Sequence, residues 1–362
     1  MRHLLPILLL AAAAAHAAPA ETAAAEERAT GDENARWLFI PALGYSPDTK
    51  LLGGAYVIVL LPGSDPAHRS SVAVGGIVTQ RKQVSVSASP TLYWNGGDWR
   101  LEARAGYRYF PSDFWGVGRD APESAAEVFT PEATAIELAL DRRVWRSLRL
   151  GLGASWERFR LAERETGGLL DGLAGAGGGD TRSLTASLIW DGRDRLWLPT
   201  RGVFASIRAG TYDVERGCRR CDHDEVRADL RAYRSLGPRV GAAGRLLAVV
   251  QDGSPPFDRL AALGGAMLLR GYGEGRWRDR ALLAAQAELR APALWRSLGL
   301  VLFAGWGDVA PAAGDLAPAR SRGSAGFGLR WLLDADDGMQ LRADLGVGEE
   351  GAGFYIGFGE VF

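Results

Sequence analysis

Between Gln83 and Trp94 the chain reads QVSVSASPTLYW, and its residues separate by parity. Val84, Val86, Ala88, Leu92 and Trp94 fall on one side, and Gln83, Ser85, Ser87, Ser89 and Thr91 on the other. A period of two places successive side chains on opposite faces of an extended strand, so this stretch excludes a helix. The next segment repeats the pattern with charge: Trp99, Leu101, Ala103, Ala105, Tyr107 and Tyr109 oppose Arg100, Glu102, Arg104 and Arg108. Leu341, Ala343, Leu345 and Val347 likewise oppose Arg342 and Asp344, and Ala325, Phe327, Leu329 and Trp331 oppose Arg322, Ser324 and Arg330. The chain therefore builds a sheet whose two faces meet different surroundings. Alternation alone leaves open which face is inside, since a soluble sandwich gives the same signal with its charges outward.

Three features select a barrel in lipid: segments near ten residues long, aromatic residues at segment ends (Trp94, Trp99, Tyr109, Trp145, Trp156, Trp190 and Trp331), and a last segment ending in Phe362. Repeats of about ten residues with interfacial aromatic girdles characterise transmembrane barrels, and a sheet in hydrocarbon has to close on itself to pair its backbone groups. The expected fold is all-β, a transmembrane antiparallel barrel of about sixteen strands running from 36–46 to 352–362. Connections sort by length as an even-stranded barrel requires. The short ones (95–98, 145–147, 235–238 and 334–338) fall on the periplasmic side, and the long ones (110–129, 163–181 and 252–279) fall outside.

Residues 1–17 combine a basic start, an apolar run from Leu4 to Ala15 and the small-x-small pattern Ala15-His16-Ala17, which marks a secretory signal peptide. Residues 18–35 read as a disordered periplasmic tether rich in Ala and Glu, and 36–362 as the barrel. No segment offers the ~18 to 20 consecutive apolar residues of a membrane helix. With 42 Lys and Arg against 43 Asp and Glu, the charge balance implies no nucleic-acid partner. Only Lys50 and Lys82 are lysines, so a buried cation here is a guanidinium.

The stretch LLRGYGEGRWRDR, 268–280, holds four arginines, three glycines and two aromatics inside the longest connection. Taken with AQAELRAPALW, VLFAGWGDV, SAGFGLRW, WDGRDRLWLPTRGVF and the final YIGFGEVF, it resembles the barrel of the BamA/TamA outer-membrane assembly family, also called bacterial surface antigen proteins. That resemblance implies that a long extracellular loop folds into the lumen, with Arg270, Gly271 and Tyr272 at its tip and Glu288 as the wall partner of Arg270. A guanidinium offers a fixed fork of donors to a carboxylate, and a glycine lets the chain turn beside a wall. The family's second wall carboxylate stands in F-x-D-x-G, where this chain has Gly305; Asp308 is nearby but on the lipid parity, so it substitutes only through a bulge. The terminal apolar residues Phe354, Ile356, Phe358 and Phe362 resemble the signal that outer-membrane assembly machinery reads.

The implied role is assembly or translocation of protein or lipid at the Gram-negative outer membrane, in the subgroup that is a barrel without periplasmic modules. A passive channel is the alternative. The expected partners are outer-membrane lipid, the machinery that inserts the barrel itself, and a client that the sequence does not identify. No cofactor, metal or enzymatic activity is expected: His3 and His16 leave with the signal peptide, and His68 and His223 belong to opposite ends of the wall. Cys218 and Cys221, separated by two residues in an exported loop, read as a disulfide rather than as metal ligands. The glycine-rich 167–179 lacks the Lys-Ser/Thr of a phosphate cradle and reads as a mobile surface loop.

Overall fold

A computed structural model describes residues 35–62, 68–195, 198–218, 221–295, 297–334 and 339–362. The expected signal peptide, nearly all of the tether and most of the 334–338 turn lie outside these residues. Nineteen strands occur among them: β1 (Arg36–Ser46), β2 (Lys50–Leu60), β3 (Ser71–Thr79), β4 (Val84–Trp94), β5 (Trp99–Tyr109), β6 (Ser112–Phe114), β7 (Glu127–Trp145), β8 (Leu148–Glu163), β9 (Gly179–Asp191) and β10 (Gly202–Glu215) make up the first half. β11 (His223–Ser235), β12 (Gly241–Gly253), β13 (Ala261–Leu263), β14 (Trp277–Asp279), β15 (Ala281–Trp295), β16 (Leu298–Ala310), β17 (Arg322–Asp334), β18 (Met339–Gly348) and β19 (Gly351–Phe358) complete it. Sixteen of them form a closed antiparallel barrel in which each long strand pairs with its neighbours in sequence and β19 returns to β1. The three short strands stand outside the wall: β6 pairs with the outer end of β7, and β13 with β14.

Burial settles the inside-outside question left by the alternation. On β8 and β9 Leu152 is 71% and Leu184 65% exposed, whereas Glu157, Glu288 and Asp344 on the polar parity are at most 2% exposed. Apolar side chains face outward and charges face the interior, the reverse of a soluble sandwich and the arrangement that lipid demands. Trp94 stacks on Trp99 and Trp145 lies 5.8 Å from Trp190, placing paired aromatics at the strand ends next to the short turns.

The long connections carry packed structure of their own. Phe257 lies at the centre of an aromatic cluster, with ring centroids 5.5 Å from Phe114, 5.6 Å from Phe129 and 6.2 Å from Phe159. The glycine-rich 167–179 departs from the expectation of a free surface loop: Leu170 is fully buried in this cluster, and Glu127 accepts the Leu169 and Leu170 N–H groups. Two further arginines close over the cluster, Arg216 and Arg259 both donating to Glu157, at 2.6 and 2.7 Å. Residues of the connection after β5, the fifth wall strand, reach those around β16, the thirteenth, half-way round the ring. There Arg119 pairs with Asp308 at 3.0 Å and donates to the Asp315 carbonyl at 2.7 Å.

Candidate functional site

All of β1 pairs with β2, from Arg36 opposite Leu60 to Ser46 opposite Lys50. On its other side β1 meets β19 through one register pair, Tyr45 with Ile356. The upper end of β1 thus touches the lower end of β19, and the two strands are otherwise staggered past each other. A Cβ on Gly44 would lie 2.9 Å from the Ile356 carbonyl oxygen, so a glycine stands where the two backbones approach. An edge strand with unpaired N–H and C=O groups is a template for another strand.

Residues 268–280 contact this seam and the wall next to it. Arg270, 2% exposed, forks between two strands: Nη2 donates to Glu288 Oε1 on β15 at 2.5 Å and Nη1 to Asp344 Oδ2 on β18 at 2.7 Å. Its guanidinium carbon sits 3.4 Å from the centre of the Phe303 ring. Glu288 also accepts Arg290 at 2.8 Å; Asp344 also accepts Arg330 at 2.5 Å, and Arg330 reaches Glu360 at 2.9 Å. Glu288 and Asp344 therefore each join two guanidinia, and Arg290 extends the buried network to the Phe362 oxygen. Truncating one member of such a network leaves a charge without compensation.

Glycines make the approach possible. Gly271 has φ +111°, and a Cβ there would lie 2.8 Å from the Gly348 nitrogen; a Cβ on Gly328 would collide with the Asp344 carboxylate. The tip then bridges the seam. The Gly271 N–H donates to the Tyr355 hydroxyl on β19 at 2.9 Å, and the Glu274 N–H donates to Asp48 Oδ1, in the turn between β1 and β2, at 2.9 Å. Tyr272 donates its hydroxyl to the Gly323 carbonyl at 2.7 Å and receives the Glu349 N–H at 2.9 Å. Burial, and after it the Asp48 carboxylate, push the Glu274 carboxyl up to about 8, with Arg278 acting in the opposite direction. Asp48 is raised too, mainly by burial.

Arg276 and Arg278 are held in the same loop. Both are buried, and Arg276 grips Glu350 through two bonds of 2.8 Å while donating to the Ala121 carbonyl at 2.9 Å. Asp308 does not substitute for the carboxylate absent at Gly305. No bulge interrupts β16 there; Asp308 stays opposite Leu283 and binds Arg119 and the Ala317 N–H. The open space at Gly305 is taken by Leu269, whose Cδ1 would lie 2.9 Å from a Cβ. The second carboxylate is Asp344, two strands away. Its polar parity is visible in the sequence, but its proximity to Arg270 depends on curvature that the sequence does not display.

Phe354, Ile356 and Phe358 share the outer parity of β19, and Phe354 is 44% exposed. Phe362 shares their parity by count but not their face. The strand stops at Phe358, Gly359 turns the chain at φ +71°, and Phe362 is buried beside Tyr233 and Ala243, its backbone oxygen accepting Arg290 at 2.8 Å. Cys218 and Cys221 are joined, their Cα atoms 5.8 Å apart. His68 lies against Tyr93, and His223 is stacked on Tyr212 with a 4.3 Å centroid separation.

The model of the Omp85 superfamily domain matches residues 70–362. No curated protein sequence matches the chain. Among solved structures it is similar to BamA from Haemophilus ducreyi lacking POTRA domains 1–3, at 16% identity and a TM-score of 0.62, over 90% of this chain and 71% of that one. It is also similar to CdiB from Acinetobacter baumannii (16% identity, TM-score 0.56, 90% of this chain and 60% of that one). CdiB from Escherichia coli gives 10% identity and a TM-score of 0.59, over 90% of this chain and 63% of that one.

Proposed function

Because the chain belongs to the Omp85 superfamily, we propose that this outer-membrane barrel assembles or translocates protein or lipid, opening at the seam between β1 and β19. In this reading the 252–280 connection folds into the lumen and Arg270, Gly271, Tyr272 and Glu288 lock it there, so that residues 270–274 strap the seam shut from within. The observation that carries the reading is the conjunction of one backbone pair across the seam with two loop N–H groups reaching its two sides, at Tyr355 and Asp48. Release of the strap frees the inner edge of β1 to pair with an incoming strand, whose backbone groups need partners in lipid. A passive channel fits less well, since the Phe257 cluster and the Arg119 crossing occupy the outer end of the barrel. Superfamily members are assembly and translocation proteins rather than enzymes, and His68 and His223 are far apart in the fold.

The barrel's own insertion, in this reading, uses Phe354, Ile356, Phe358 and Phe362 as the signal for the membrane's assembly machinery, and the Cys218–Cys221 bridge closes the hairpin between β10 and β11. The test of the main proposal is a reconstituted barrel in liposomes, with an unfolded client barrel added and its conversion to the heat-resistant form followed. Wild type accelerates conversion; a Tyr45→Cys, Ile356→Cys pair blocks it when oxidised and restores it when reduced. A cross-linked barrel as active as the reduced one refutes the seam. Steady ion conductance in a planar bilayer without client conversion supports the channel instead.

A further inference from the structure

Arg342 is 7% exposed, yet its Nε and Nη1 have no hydrogen-bond partner. Its Nη2 is spent on the Met267 thioether at 3.4 Å, a weak acceptor. The nearest carboxylate oxygen, Asp344 Oδ2, is 3.8 Å away and already takes Arg270 at 2.7 Å. Around it the buried network holds four guanidinia (Arg270, Arg290, Arg330 and Arg342) against the carboxylates of Glu288, Asp344 and Glu360 and the Phe362 oxygen, all engaged by the other arginines. A buried guanidinium with idle donors is costly unless an anion compensates it.

Arg342 lines a cavity of about 180 Å³. Gly357 adjoins it, where a Cβ would come within 3.2 Å of Arg342 Nε, so the absence of a side chain leaves room beside that nitrogen. Glu360 lines the same end of the cavity as Arg342, and Arg81, Arg108 and Arg278 line it with Asp48 and Glu274 toward the outer turn; of these arginines Arg342 alone leaves two donors idle. Its lining mixes inward residues such as Ala42 with Leu43, Ile356 and Phe358 from the lipid-facing parity. The cavity therefore borders the seam itself, where Leu43 is 62% exposed on the membrane side.

We propose that this cavity holds the phosphate group of a lipid that enters sideways between β1 and β19, with Arg342 Nε and Nη1 as its donors and the apolar seam residues against its acyl chain. The inference rests on Arg342 and the cavity, and is independent of whether the barrel handles clients. The guanidinium fork suits a phosphate oxygen pair, and a lysine would supply the charge without the fork.

The experiment is native mass spectrometry of the barrel released from detergent micelles carrying phosphatidic acid, or diacylglycerol with the same chains and no phosphate, with folding checked by heat-shifted migration. Wild type is expected to retain one phosphatidic acid and no diacylglycerol. Arg342→Gln should weaken retention about tenfold or more, the scale of one lost charge-assisted contact, and Arg342→Lys should fall between. Retention unchanged in Arg342→Gln, or equal for both lipids, overturns the site. If Arg342→Gln gives no heat-shifted barrel, Arg342→Lys is read instead, and unchanged retention there overturns it equally. A separate arm titrates inorganic phosphate alone: Arg342-dependent binding that displaces the lipid supports the anion site but overturns a lipid as its source.

Discussion

The wall at β7 and β8 and the seam at β19 and β1 close the same barrel by different means. From Thr130 to Trp145 the first pair runs as a long ladder with two irregularities, and its backbone groups find partners in one another. At the seam the backbone supplies one register pair, and side chains and a loop supply the rest: Tyr355 and Asp48 receive loop N–H groups, and Arg270 ties β15 to β18. Ladder bonds depend on the chain being extended and little on which residues are present. Buried ion pairs depend on each partner, because a lone charge in a low dielectric is not compensated. The backbone closure of the far wall should therefore tolerate substitution outside its own buried pairs, such as Glu157 with Arg216 and Arg259, and closure at the seam should not.

The sharpest way to break that contrast is Asp344→Ala, which strips Arg270 and Arg330 of a shared carboxylate. A loss of about 3 to 5 kcal/mol is expected for breaking a buried pair, read as a lower urea midpoint together with tryptic cleavage after Arg270 in intact cells. Protection of the loop with no loss of stability would mean that the network is not what holds it.

On the far wall, Leu152→Arg places a charge against lipid at a cost of roughly 2 to 4 kcal/mol near mid-membrane. Here the loop should remain protected from trypsin even as the urea midpoint falls. If the loop is released as well, the two regions are coupled and the comparison fails.

The pair Arg270 and Glu288 sharpens the claim on the seam side. In a double-mutant cycle with alanine, the coupling should exceed ~0.5 kcal/mol, the limit for independent sites, and Arg270→Lys should restore only part of the stability because it lacks the fork. Coupling below that limit would assign the lock to Asp344 alone.

A dependence on pH tests the seam side in another way. The Glu274 carboxyl lies at about 8 when the strap is docked, above its ordinary 4.5. The docked state therefore holds a proton that the released state gives up, and docking weakens as pH rises between those values, with the full penalty present above about 8. Glu274→Gln should remove this dependence, so the difference in thermal midpoint between variant and wild type should grow in the variant's favour from pH 5 to pH 9. Parallel curves would place Glu274 in solvent.

Much of this was written locally. Sixteen wall strands, their parities, the gathering of the long connections at one end and the pairing of Arg270 with Glu288 follow from period-two patterning, turn lengths and family motifs. Each of these concerns neighbours in sequence or one strand beside the next. The short strands β6, β13 and β14 escaped notice because three residues are too few to display a period. Leu170 reads as one apolar residue among glycines, and nothing near it signals the aromatic cluster that buries it.

What the sequence by itself determined is which residues face the interior and that the sheet must close, because alternation and the insolubility of unpaired backbone in lipid are both local conditions. Only the tertiary structure decided that the closure is staggered at Tyr45 and Ile356, that Asp344 rather than Asp308 receives Arg270, and that Phe362 turns inward. The physical reason is distance. These contacts join residues 70 or more positions apart, and which of several equivalent arginines and carboxylates meet in the lumen is set by the shear and curvature of the whole wall.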